Sequence, residues 1–138
     1  MRVLFDTNIL LDALLAREPF VANAAVLFNA VEAEQIEGFV SATTVTDVHY
    51  LVRRQTQSLE TAIDAVTRLS ALMEIAAVDR EVLEQAIALE FTDFEDAVQV
   101  ACAMKLGLDA IVTRDVNGFT NSPIPVLSPE DLINRLFE

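Results

Sequence analysis

Five short apolar runs punctuate the chain: residues 2–5 (RVLF), 38–42 (GFVSA), 73–78 (MEIAAV), 110–113 (AIVT) and, after Pro123, 124–127 (IPVL). Runs of this length, bounded by polar and turn-forming residues, predict short buried strands. Between them the apolar positions recur at helical spacing. After the first run the pattern resumes at once as ILLDALL. Residues 21–35 place Ala24, Ala25, Phe28 and Val31 on one side of a helix, and further helices are predicted over 43–55, 59–73, 80–90, 94–107 and 128–137. Gly107 is positioned to stop one of these, while Ser128, Pro129 and Asp131 form an N-cap, a first-turn proline and a capping-box-like acid for the last. Strands alternating with helices imply parallel βαβ units. The expected architecture is α/β: one three-layer domain over residues 1–138, with a short parallel sheet flanked by helices.

In such a sheet the chemistry gathers where strands end and chain crosses to the next helix. Asp6, Thr7 and Asn8 follow the first run. Ser41, Thr43 and Thr44 follow the second, with Asp47 one turn into the helix. Thr113, Arg114 and Asp115 close the fourth, and Asp93, Glu95 and Asp96 open the helix that precedes it. Each acid also has an ordinary structural reading. Asp6 and Asp93 suit helix N-caps, Asp47 a solvated helix face, and Glu95 and Asp96 the positive end of a helix dipole. On the helical wheel Asp96 borders the apolar stripe of Ala97, Val100, Ala101 and Met104, while Glu95 falls further out beside Gln99. Asp96 is therefore the better ligand candidate and Glu95 a supporting one.

Composition sharpens this picture. The chain has 138 residues, a hydrophobic fraction of 53% and 22 acids against 9 bases, a formal charge of −13. With mean hydropathy +0.39 it is no disordered segment. No apolar run reaches the ~18 residues of a membrane span, and there is no signal-peptide pattern. A lone cysteine, Cys102, excludes an intrachain disulfide and a Cys-based zinc site, so the expected location is cytoplasmic. Such acidity favours cation binding and by itself opposes nucleic-acid binding, which relies on Lys and Arg. Converging carboxylates repel unless a cation joins them, and oxygen ligands select Mg²⁺ or Mn²⁺. Asp6, Asp47, Asp96 and Asp115 are the candidate catalytic acids, with Asp6, Asp96 and Asp115 as metal ligands meeting at one point and Thr113 adding a hydroxyl. Such a site supports water activation and in-line phosphoryl displacement.

The segments FDTNILLD, SATTVTDVHYLVRR, DFEDAVQVACA, IVTRDVNGF and SPIPVLSPEDLI, in this order, resemble the PIN domain family over essentially the whole chain. The nearest subgroup is the single-domain prokaryotic PIN proteins, the VapC-like toxins among them. The resemblance implies a metal-dependent endoribonuclease that is frequently homodimeric and, for toxins, blocked by an antitoxin partner. By position it makes Asp6 the first acid, with Asn8 as its support, and Asp47 the second, where Glu is usual. It makes Asp96 the third, flanked by Asp93 and Glu95, and Asp115 the fourth, where Asn is often found. A further acid common just before the motif's Phe is replaced by Gly118.

The expected function is thus hydrolysis of RNA by the toxin of a toxin–antitoxin pair. The alternative is a catalytically inactive PIN-like regulatory or interaction module. A receiver-type phosphotransfer domain would need a lysine after the last strands, and IPVLSPEDL has none. For RNA to bind, bases such as Arg17, Arg53, Arg54, Lys105 and Arg114 must group on the substrate side, with Arg53 and Arg54 as the phosphate contacts. A homodimer is expected from surplus apolar residues in the N-terminal half: Leu14, Leu15, Phe20, Val21, Leu51 and Val52.

Overall fold

In the computed structural model, which describes all 138 residues, the strands are β1 (Arg2–Phe5), β2 (Glu37–Ser41), β3 (Glu74–Ala76), β4 (Ala110–Val112) and β5 (Val126–Leu127). The helices are α1 (Thr7–Leu14), α2 (Val21–Glu32), α3 (Ala42–Thr56), α4 (Leu59–Leu72), α5 (Arg80–Ala88), α6 (Phe94–Leu106) and α7 (Pro129–Leu136). A short 3₁₀ turn, Val116–Phe119, follows β4. The strands form one parallel sheet in the order β3-β2-β1-β4-β5, so β1 is central. All five expected strands are present, and the sheet flanked by helices is the α/β architecture the sequence predicts. The outer strands β3 and β5 span only part of their apolar runs, and each pairs on one side only.

Side chains alternate across the sheet and separate two cores. Val3 and Phe5 of β1, Val40 of β2 and Val112 of β4 face a larger core built with α1–α4 and α7. Leu4, Phe39 and Ile111 face a smaller one built with α5 and α6. In α2 the buried stripe is Ala24, Leu27, Ala30 and Val31; Ala25 lies exposed. The larger core also takes up most of the apolar residues expected at a dimer surface. Val52 is buried, and Leu14, Leu15 and Leu51 pack against the core from its margin. Among that set only Phe20 is substantially exposed, and it carries the Arg114 guanidinium on its ring at 3.8 Å from the centroid. The exposed apolar groups of α3 and α4 are instead Tyr50, Leu59 and Ile63. No helix is long and apolar enough to cross a membrane.

Helix ends are fixed as the sequence suggests. Ser128 Oγ accepts from the Asp131 amide at 3.1 Å, and Gly107 closes α6 in the left-handed region at φ 62°. Ser41, Ser58 and Asp79 cap α3, α4 and α5. The consequence for the site is positional. β1, β2 and β4 all deliver their carboxyl ends to one lip, where α1 and α3 begin, and α6 brings its N-terminal turn to the same lip.

Candidate active site

Asp6 is the hub of this lip. It leaves β1 still in register, its amide donating to the Val112 carbonyl at 3.0 Å. Its side chain is 8% exposed and held by three donors. The Thr7 amide and Gln99 Nε2 donate to Oδ1 at 2.8 and 2.9 Å, and Thr113 Oγ1 donates to Oδ2 at 2.8 Å. A carboxylate offers about four lone-pair sites. Three are occupied, which leaves Asp6 room for one further partner. Thr113 in turn accepts from the Asp115 amide at 3.0 Å, so a hydrogen-bonded path joins Asp115 to Asp6. A second path of hydroxyls ties β1 to β2: Thr7 and Thr44 lie 3.1 Å apart, and Ser41 donates to Thr44 at 3.0 Å.

Around this hub the other acids gather. Burial pushes the Asp96 carboxyl up to about 7, and repulsion from Asp93, Asp6, Asp115 and Glu95 adds to it. Glu95 is raised chiefly by Asp47, then by its own partial burial and by Asp93 and Asp6. Asp47, half-buried in the second turn of α3, is raised by burial. These mutual effects place all six acids in one electrostatic neighbourhood, and none of the six forms an ion pair with Lys or Arg. A cleft of about 300 Å³ opens here between Asp93, Asp96, Asp115, Asn117 and Gly118. A larger cleft of about 450 Å³ lies at the opposite end of the sheet, against Arg2, Gly38 and Glu74, away from this lip.

The predicted acids differ in what they engage. Asp6, Asp96 and Asp115 share the lip, although no three His, Cys, Asp or Glu side chains in the chain form a ready-made metal cage. Three of the six acids are engaged as caps, Asp6 at the start of α1 through the Thr7 amide and two others further along the chain. Asp93 Oδ1 accepts from the Asp96 amide at 3.1 Å, capping α6. Asp115 Oδ1 accepts from the Gly118 amide at 3.2 Å, capping the 3₁₀ turn. This also accounts for Gly118, since a Cβ there would stand 2.5 Å from Asp115 Oδ2.

Asn8 does not support Asp6. It is exposed and accepts from Arg17 Nη1 at 3.3 Å, because α1 has already begun at Thr7 and turns Asn8 away. The groups that hold Asp6 are instead the Thr113 hydroxyl and Gln99, which the helical wheel placed outward beside Glu95. Gln99 is 4% exposed, since α6 is buried on every residue from Ala97 to Ala103. The signal available in the sequence was a lone amide inside the run AVQVACA.

The basic residues divide. Arg114 is taken up by Asp12, donating from Nε at 2.7 Å and Nη2 at 3.3 Å, and Arg17 Nη1 stands 3.8 Å from the same carboxylate. Lys105 Nζ donates to Asp79 at 2.8 Å. Arg53 and Arg54 are exposed in the last turn of α3 and enter no ion pair. They lie about 9–10 Å along the helix from Asp47.

The chain belongs to the PIN domain family, whose model matches residues 2–117. The fold is shared with a chain of DNA-bound VapBC from Salmonella typhimurium, with TM-score 0.72, 16% identity and coverage of 94% of this chain and 98% of that one. A toxin–antitoxin complex from Klebsiella pneumoniae contains a chain 26% identical, with TM-score 0.68 and coverage of 92% and 97%. Mycobacterium tuberculosis VapC20, a sarcin-ricin loop cleaving toxin, matches with TM-score 0.65, 19% identity and coverage of 79% and 86%. No curated protein sequence matches at a significant level.

Proposed function

We propose that this PIN domain is a divalent-cation-dependent endoribonuclease and the toxin of a toxin–antitoxin pair. The observation that carries the proposal is the unpaired charge of the lip. Asp47, Asp93, Glu95, Asp96 and Asp115 gather around Asp6, every donor holding Asp6 is a neutral group, and the crowding helps to raise Asp96 to about 7. A cation is the partner such a cluster lacks. The donor set is entirely oxygen, and Asp6 retains a free lone pair, so the residues fit Mg²⁺ or Mn²⁺. Asp6, Asp96 and Asp115 would hold the ion, in part through its waters, since Mg²⁺ keeps several of them. When bound, it would supply an activated water and stabilise charge in the in-line displacement.

The remaining roles belong to the chain itself. Thr113 and Gln99 fix the orientation of Asp6. Asp47 of α3 and Glu95 of α6 stand near enough for Asp47 to raise Glu95, and a carboxylate with a raised pKa serves to take a proton from an attacking water. Asp93 keeps the first turn of α6, and with it Asp96, in place. Arg53 and Arg54, the cations left free on α3, contact RNA phosphates beyond the acidic lip and offset part of its repulsion. An antitoxin protein is the expected inhibitor, by analogy with the VapBC neighbours.

The test is cleavage of total RNA by the purified protein with Mg²⁺, Mn²⁺ or EDTA, beside the Asp6→Asn variant. Cation-dependent cleavage that disappears in the variant supports the proposal. Parent and variant cleaving alike would overturn the site. One observation favours a second reading, an inactive interaction module: no three of the acids form a ready-made metal cage. That reading predicts no cleavage under any cation. Growth arrest on expression, relieved by a small upstream reading frame encoding a DNA-binding protein, would establish the toxin role.

A further inference from the structure

Gln99 lies one turn after Asp96 in α6, and only its NH₂ end is accounted for by the protein. Nε2 donates to Asp6 Oδ1 at 2.9 Å. A carboxylate oxygen only accepts, so it must face the amide nitrogen, which fixes the orientation of the group and turns the carbonyl away. Oε1 then finds no donor within the protein, although the residue is 4% exposed. Because the two polar atoms of an amide are about 2.3 Å apart, Oε1 lies within about 5 Å of Asp6 Oδ1. The unmatched acceptor is therefore beside the lip itself. Buried carbonyls are rarely left without a donor, and an anchor for Asp6 would need only the donor half of this side chain.

We infer that Gln99 is a positioning residue with two working ends: the NH₂ orients Asp6, and the carbonyl accepts from a water of a hydrated divalent cation at the lip. The inference rests on the reading of the lip as a cation-dependent centre. It explains why an amide, rather than another small apolar residue, interrupts AVQVACA. It also fits a hard cation that keeps part of its water and needs acceptors beyond its direct ligands.

Two measurements test it. Calorimetry with MnCl₂ compares the parent with Gln99→Met, which keeps the length and loses both polar ends. The expected result is a folded variant whose Mn²⁺ affinity falls about 10–100-fold, the usual effect of removing a group that orients a ligand. The second measurement needs no variant to fold. In ¹⁵N-labelled parent protein, the Gln99 side-chain NH₂ signals should shift on addition of MgCl₂ and stay unmoved in NaCl of equal ionic strength. If the Asp96 and Asp115 backbone amides respond to Mg²⁺ while the Gln99 NH₂ pair does not, the role of Gln99 is refuted and the cation centre stands. Unchanged Mn²⁺ affinity in a folded Gln99→Met protein refutes that role equally. If none of these signals moves, the cation centre falls and this inference with it.

Discussion

Helix α1 carries two buried carboxylates, Asp6 at its start and Asp12 in its second turn, and the fold treats them in opposite ways. Asp12 is 1% exposed and meets Arg114 through two hydrogen bonds, with Arg17 close by. Asp6 is almost as buried, yet every group holding it is neutral. The two sites share a source: Thr113 donates to Asp6, and the next residue, Arg114, donates to Asp12. A completed ion pair of this kind fastens the end of β4 to α1, so that the adjacent Asp115 is carried on a fixed lip. An incomplete one leaves negative charge in a half-buried cleft, to be balanced by something from outside. The contrast separates acids that serve the fold from acids that serve chemistry.

Predictions that strain this contrast run from large effects to small. Asp6→Asn should abolish cation-dependent RNA cleavage while the cation-free protein melts no lower than the parent, because one source of repulsion on Asp96 is gone. Cleavage assays and calorimetric melting check both halves. Arg114→Met should do the reverse kind of damage. It leaves Asp12 with only Arg17, whose Nη1 stands 3.8 Å away without a hydrogen bond, and urea denaturation should show a loss of about 3 kcal/mol. A loss near zero would mean that Asp12 is as tolerant as Asp6, and the contrast would collapse.

The third effect is in the pH dependence of the cation-free protein. Asp96 holds its proton in the folded state up to about 7, whereas the unfolded chain releases it near 3.8. The folded state thus binds more protons between those values, and stability should decline as pH rises through that window. Asp47 and Glu95, also raised, act in the same direction. Asp79 is lowered and Lys105 raised from 10.5, so their contributions fall outside that range. The melting temperature should be higher at pH 5 than at pH 8, with a smaller difference in Asp96→Asn.

Local signals in the sequence were enough for the sheet and for the acids at its lip. Strand ends are local features, and the alternation of strand and helix constrains which ends share a side. The partners of those acids are different in kind. Arg114 meets Asp12 across 102 positions, and Gln99 meets Asp6 across 93. No periodicity carries such pairings. The helical wheel failed on α6 because it assumes one buried face, whereas this helix is covered on nearly all sides from Ala97 to Ala103. The same limit applies to the apolar residues assigned to a dimer surface. Leu51 and Val52 look surplus until α3, α4 and α1 are stacked in one layer against the sheet.

The central claim is that the lip is built for a divalent cation, and melting with MnCl₂ against NaCl of equal ionic strength tests it most directly. A ligand bound only by the folded state stabilises it by about 2.7 kcal/mol at a hundredfold excess over its dissociation constant. Salt alone relieves general repulsion in a chain of charge −13, so the NaCl arm is the necessary reference. The melting temperature should rise with Mn²⁺ beyond the NaCl control, with the excess lost in Asp96→Asn. An equal rise in the two salts would contradict the claim and leave the lip as a solvated acidic surface.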